Sequence, residues 1–229
     1  MISLAITTYN RYEMTIQSFA QVIDDPRISD IVILDDASTD GSYEKLRDYF
    51  VGNQKVRVIR QAENRGMMEN KKDAIGLMNY SWGIILDSDN TFGVDYLDAL
   101  FKEPFFITNC IYCPEWARPN FDYRAFSNIT ITRKNVNDFL PKPMFEQNLN
   151  TGNYFVHRDT YLKFYEYNKD IKETETLYFA YNWLKHGNAF KIVNGMQYDH
   201  LVHSNSGWLK NASYNIKKGE EIKQLIRDL

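Results

Sequence analysis

The stretch Ile85-Leu86-Asp87-Ser88-Asp89-Asn90 decides how this chain is read. An apolar run beginning at Trp82 leads straight into two aspartates one residue apart. A strand that ends this way either caps the helix that follows it or holds a cation between carboxylates. The neighbouring segments supply the context. Residues 2–7, 30–34 and 55–60 read as strands like 82–87, and the intervening 12–23, 43–51 and 67–79 carry helical spacing. Near-continuous apolar strands alternating with helices predict an α/β fold with a mostly parallel central sheet flanked by helices.

Ligands of open α/β sheets gather at the carboxyl ends of the strands. Here those ends read Thr7-Thr8-Tyr9-Asn10, then Asp35-Asp36-Ala37-Ser38-Thr39-Asp40-Gly41, then Glu63-Asn64-Arg65-Gly66, and finally Asp87-Ser88-Asp89-Asn90. All four are polar and three carry carboxylates. Neither a GxxxxGK[ST] loop nor a GxGxxG turn is present. A nucleotide-binding sheet without that glycine cradle needs another way to neutralise phosphates, and a divalent cation on Asp87 and Asp89 provides one. Carboxylate oxygens suit Mg²⁺ or Mn²⁺.

Beyond residue 93 the pattern loosens. Residues 94–101 read as a helix, 105–112 and 128–133 as strands, and 114–126 and 138–152 as loops. Residues 174–185 form the clearest later helix, stopped by Gly187, and 189–193 and 196–200 read as two short strands. The tail from 214 to 229 is a polar helix.

Composition narrows the function classes. The chain has 229 residues, 44% of them apolar, enough for one large domain or two small ones. A net charge of −3 with interspersed signs argues against a phosphate-tracking nucleic-acid binder. Aromatic content is 15%, mostly core material with some capacity to stack on sugars or bases. No apolar run reaches the length of a membrane span. The start MISLAITTYN lacks a basic n-region, so the expected location is cytoplasmic. Cys110 and Cys113 form a CxxC, but no second pair completes a zinc site, and buried reduced thiols are expected.

These motifs resemble the glycosyltransferases of the GT-A fold, in particular the family-2 type. TTYNR (7–11) is similar to that family's first strand-end motif, and ILDDASTDGS (33–42) to its DDGSTDGS segment. ENRGMMENKKDAI (63–75) resembles its N-x-G segment, and LDSDN (86–90) its DxD metal motif. The resemblance covers about the first 100 residues and is weaker afterwards. It implies one GT-A domain over 1–229, with a nucleotide-binding half at 1–100 and an acceptor-binding half at 101–212. The C-terminal helix at 213–229 then packs on that domain or leads into another.

Position by position, the resemblance implies that Thr7 and Asp36 line the base pocket, with Asp36 accepting from the ring N–H of uracil. Tyr9 and Arg11 would lie beside the base or diphosphate, Asn64 and Gly66 would let the backbone approach the nucleotide, and Lys71 would stand near the phosphates or sugar. Asp87, with Ser88 beside it, would face the ribose or sugar, and Asp89 would be the main metal ligand. A late histidine often completes such a site, and His203 is the first choice with His200 as runner-up. Trp208 would join the sugar pocket.

ETETLYFAYNWLKHG (173–187) is similar to the family's ED-x-x-F-x-x-R helix. Glu175 falls at its acidic position with Glu173 nearby, so both are candidate catalytic residues. Thr176 and Asn182 depart from the pattern, replacing the second acid and the arginine. Gly152 and Asn153 resemble the loop on the acceptor side.

The implied activity is metal-dependent transfer of a sugar from a nucleotide diphosphate donor, a UDP-sugar, to a hydroxyl of a glycan or other acceptor, with inversion. Mn²⁺, or Mg²⁺, is the implied cofactor. Two alternatives stay open: a sugar-nucleotide nucleotidyltransferase, disfavoured by the missing glycine- and lysine-rich first loop, and a non-catalytic carbohydrate-binding relative. Read singly, Asp89 could be a helix cap, Glu175 a helix-dipole charge, and Asp35 and Asp36 turn residues.

Overall fold

The structure, a computed structural model, describes residues 1–149, 152–202 and 207–229, the side chains of 207 and 208 apart. Strands β1 (Ile2–Thr8), β2 (Ile28–Asp35), β3 (Val56–Arg60) and β4 (Trp82–Asp87) alternate with helices α1 (Tyr12–Phe19), α2 (Ser42–Tyr49) and α3 (Met67–Gly76). β1 is buried along its length and pairs in parallel with β2 on one side and β4 on the other. A strand covered on both faces has no solvent side, which is why its sequence shows no alternation. The helical spacing read to residue 23 outlasts α1, because Val22 in the following turn is still fully buried.

The chain continues through β5 (Asn90–Thr91), α4 (Val94–Leu100), β6 (Cys110–Arg118), β7 (Phe121–Asp122), β8 (Thr130–Ile131) and α5 (Phe145–Leu149). Then come β9 (Phe155–His157), α6 (Arg158–Phe164), α7 (Glu175–Lys185), β10 (Ala189–His200), α8 (Gly207–Lys210) and α9 (Ala212–Arg227). One sheet runs β3-β2-β1-β4-β9-β6-β10-β5, with β7 on β6 and β8 on β10. β9 is antiparallel to β4 and β6, while β6 and β10 are parallel.

Several boundaries in the second half differ from the sequence reading. The strand expected at 105–112 begins only at Cys110, because Phe105 and Ile107 lie exposed in irregular chain. It then runs through Pro114 to Arg118, where a loop was expected. Proline lacks a donor and is tolerated where a ladder breaks. Pro114 sits opposite Val193, where the register with β10 shifts. The same irregularity, with Gly195 at φ +81°, makes one long β10 look like two strands. β9 spans three residues, too short for any periodicity, and α5 lies inside the expected 138–152 loop. α9 packs on α7, with Gly219 facing Leu177. Cys110 and Cys113 are both free and buried, and burial pushes the Cys110 thiol up to about 12.

At the end of β2 remote from its carboxyl terminus lies a buried carboxylate with a purely architectural environment. Asp30 accepts from Ser3 Oγ at 2.7 Å, from Arg57 Nη2 at 2.8 Å, and from the Asn79 backbone N–H and side-chain amide at 2.9 Å each. It ties β1, β2, β3 and the turn after α3 together. Replacement by alanine would leave these donors unpaired, at a cost of about 3 kcal/mol. Urea unfolding of Asp30→Ala is expected to show that loss at an unchanged denaturant slope; a loss under about 1 kcal/mol would mean that water satisfies the donors instead.

Candidate active site

The carboxyl ends of β1, β2 and β4 open on a cavity of about 670 Å³. The loop after β1 and the loop after β2 are locked to each other. Asn10 donates its backbone N–H to Ser38 Oγ at 2.8 Å and accepts from the Thr39 N–H at 2.8 Å. Asp35, fully buried, accepts from the Ser38 N–H at 2.8 Å and from the Ser38 hydroxyl. Asp40 accepts from the Ser42 N–H at 2.9 Å and so opens α2. Asp35 and Asp40 are therefore turn residues.

Asp36 lines the cavity. Its two oxygens accept the backbone N–H groups of Arg65 at 2.8 Å and Gly66 at 2.9 Å. Burial pushes its carboxyl up, and these two donors oppose the shift. Asp36 thus holds the Asn64–Gly66 turn, where Gly66 adopts φ +81° and starts α3. Thr7, Tyr9, Asn64 and Gly66 line the same cavity, and Tyr9 is 42% exposed.

Asp87 and Asp89 both face the cavity, as alternate residues at a strand end should. Ser88 points the other way: its hydroxyl is buried, unpartnered and outside the cavity lining. Asn153 Oδ1 accepts the Asp87 backbone N–H at 2.9 Å and fixes the turn.

Lys71, buried on the inner face of α3, donates to Asp87 Oδ1 at 2.9 Å and to Glu175 Oε1 at 2.8 Å. Burial alone would lower the lysine, but the two carboxylates outweigh it and hold the ammonium well above its usual range. Burial pushes Asp87 up, against the pull of Lys71 and with Asp89 and Glu175 adding to the rise. Gly152 lies directly over this pair: a β-carbon there would come within 2.6 Å of Asp87 Oδ2 and 2.8 Å of Lys71 Nζ. Neighbouring Lys72 is 40% exposed in its side chain, so the two lysines have separate environments.

Asp89 pairs with Arg11, with Nη1 at 2.8 Å from Oδ2. Among the described residues, five carboxylates line the cavity (Asp36, Asp87, Asp89, Glu173, Glu175) against two cations, Arg11 and Lys71. A wall of that sign repels a diphosphate unless positive charge is added. Among the described residues no cluster of three or more His, Cys, Asp or Glu side chains stands ready to hold a metal. The donor chemistry nevertheless fits one, since carboxylate oxygens face the cavity and Asp89 already accepts a positive charge from Arg11. His200 reaches this wall because β10 pairs with β5, setting His200 opposite Asn90. Its Nδ1 lies 2.9 Å from the Asn120 side-chain amide. His203 lies outside the described residues, as does the side chain of Trp208.

Glu175 is the first residue of α7; its Oε1 accepts from Thr176 Oγ1 at 3.0 Å as well as from Lys71. Glu173, also on the cavity wall, accepts from Asn211 Nδ2 at 2.9 Å through Oε1, while its Oε2 has no hydrogen-bond partner. Phe121 and Tyr123 add an aromatic wall that the sequence reading placed in an undifferentiated loop. Two aromatics spaced two apart beside a strand end were the available signal.

A mostly parallel sheet with a carboxylate-lined cavity at its strand ends is the GT-A arrangement of the glycosyltransferases. The chain belongs to glycosyl transferase family 2, whose pattern matches residues 3–165. The succinoglycan biosynthesis protein ExoU of Rhizobium meliloti (strain 1021) is 26% identical over 102 residues, which is 44% of this chain and 30% of that protein. Among solved structures, S. aureus TarS 1-349 in complex with UDP superposes with a TM-score of 0.67 at 15% identity, over 98% of this chain and 64% of that one. GalNAc-T7 with UDP, GalNAc and Mn²⁺ superposes with a TM-score of 0.69 at 17% identity, over 98% of this chain and 47% of that one. The chain thus spans less than two thirds of each. No described helix is long and apolar enough to cross a membrane.

The buried triad yields a test. Lys71→Met would leave Asp87 and Glu175 facing each other without their cation, a loss of about 3 kcal/mol near neutral pH. A carboxyl raised by burial destabilises the fold while ionised and ceases to do so as pH falls through its folded pKa. The deficit of Lys71→Met relative to the parent protein is therefore expected to shrink as pH falls from neutrality in urea unfolding. A deficit independent of pH would show that the lysine contributes packing alone.

Proposed function

We propose that the chain is a metal-dependent glycosyltransferase that moves a sugar from a nucleotide diphosphate donor, a UDP-sugar, to a hydroxyl acceptor with inversion. The observation that carries this reading is the convergence of Asp36, Asp87, Asp89, Lys71 and Glu175 on one cavity at the strand ends of a family-2 domain. UDP in the TarS complex, and UDP with Mn²⁺ in the GalNAc-T7 complex, support the choice of donor and cation.

In this reading Thr7, Tyr9 and Asp36 receive the base. An ionised carboxylate offers about four acceptor sites, and Asp36 uses two for the Arg65 and Gly66 N–H groups. The others can accept the ring N–H of uracil. Asn64 and Gly66 bring backbone against the nucleotide. Asp89, with Asp87 and a histidine (His203, or His200), would hold Mn²⁺ or Mg²⁺, which when bound supplies positive charge to the leaving diphosphate. Lys71 fixes Asp87 beside the donor sugar. Trp208 would join the sugar pocket.

Inversion needs a base on the acceptor hydroxyl. The resemblance puts Glu175 first; its Oε1 holds Lys71 and Thr176, which leaves its Oε2 on the cavity wall for the acceptor. Glu173 stands second, because Asn211 holds its Oε1 and its unpartnered Oε2 is buried. We therefore assign proton removal to Glu175, with Glu173 as the runner-up.

Calorimetric titration of UDP with and without Mn²⁺ tests the donor reading. Metal-dependent UDP binding that Asp89→Asn abolishes is the expected result; no binding of UDP in either condition would favour a non-catalytic relative. With a UDP-sugar identified, Glu175→Gln is expected to lower kcat by roughly 10²–10⁴-fold with UDP affinity unchanged. A near-normal kcat for Glu175→Gln would move the role to Glu173.

A further inference from the structure

We propose that Arg11 is a placeholder for the divalent cation at Asp89, and that it passes to the donor's diphosphate when the cation enters. The inference rests on the reading of Asp89 as a metal ligand.

The two aspartates of the DSD turn each hold a cation, but the two cations are built differently. Lys71 is 5% exposed in its side chain and wedged between two carboxylates, with Gly152 packed over it. Arg11 is 26% exposed in its side chain and makes a salt bridge to Asp89 at 2.8 Å. Its backbone is fixed: the Arg11 carbonyl accepts the Thr15 N–H at 2.9 Å and the Thr15 hydroxyl at 2.7 Å, and Asn10 before it is locked to Ser38 and Thr39. A fixed backbone with a long, partly exposed side chain makes Arg11 the cation that can move.

A guanidinium cannot leave a carboxylate by losing its proton, because arginine stays charged in proteins. It must be displaced. A divalent ion on Asp89 Oδ2 would stand against the Arg11 fork with like charge, so the two compete for the same oxygen. Once released, the fork is on the cavity wall with Tyr9 and Asn64, where a planar pair of N–H donors suits phosphate oxygens bidentately. Metal binding alone therefore works against the loss of an ion pair, whereas metal binding with a nucleotide diphosphate gains a new partner for the arginine. The consequence is positive coupling between metal and donor, carried by one side chain.

The experiment is Mn²⁺ titration of the nucleotide-free protein, following the free-ion signal by electron paramagnetic resonance, for the parent chain and for Arg11→Met, Arg11→Lys and Asp89→Asn. Arg11→Met is expected to bind Mn²⁺ at least about fivefold more tightly than the parent without nucleotide. UDP is expected to tighten Mn²⁺ binding more in the parent than in Arg11→Met. Arg11→Lys, which keeps the charge without the fork, should fall between them, and Asp89→Asn should lose the site. Equal Mn²⁺ affinity in parent and Arg11→Met, or equal tightening by UDP in both, overturns the placeholder role while leaving the metal reading intact. Absence of Mn²⁺ binding by every variant even with UDP present overturns both.

Discussion

The Lys71 ammonium between Asp87 and Glu175 is the constraint on which the site depends. It joins three elements distant in sequence: α3, the end of β4 and the start of α7. Without a cation there, two carboxylates could not share so confined a space, since isolated buried charges are strongly unfavourable. With it, the aspartate turn is aimed into the cavity and the acidic start of α7 is brought to the same wall. The glycine at 152 follows from the same requirement, because any side chain at that point would collide with the pair.

The carboxylates of this protein divide by the groups they face. Asp30 is held by backbone and side-chain donors and Asp35, fully buried off the cavity wall, by Ser38; both do architectural work. Asp36 is intermediate, since it organises a turn through two N–H groups yet remains on the cavity wall. Asp87, Asp89, Glu173 and Glu175 crowd the cavity with more negative charge than the protein's own cations there offset. That imbalance separates a ligand site from a well-satisfied interior, and sequence adjacency does not reveal it: Asp35 and Asp36 are neighbours with different roles.

The parallel half of the fold was legible because each strand is buried on both faces, so apolar runs and their polar ends mark strands and strand ends directly. The other half was less so, for identifiable reasons. Three residues of β9 carry no period, Pro114 reads as a breaker although it occupies a ladder irregularity, and Gly195 splits β10 in appearance. In the site, Asp36 and Asp87 stood out as carboxylates at strand ends, whereas Lys71 lies in the middle of α3. The inward turn of Ser88 and the pairing of Arg11 with Asp89 depend on side-chain direction and long-range contact, which no local pattern encodes. The family match ends at residue 165, before Glu173 and Glu175, so the acidic start of α7 lies where pattern is weakest.

The three-residue strand β9 has a mechanical consequence. It is the rung that joins β4, which leads into Asp87 and Asp89, to β6 and through it to β10, which delivers His200. The cavity floor is therefore one continuous hydrogen-bonded surface, and its two halves cannot part like lobes about a hinge without breaking that ladder. Exchange of bound molecules must proceed over the rim, by side-chain and loop adjustment above a stiff base. Substitutions at the mouth of the cavity therefore leave the stability of the sheet beneath undisturbed.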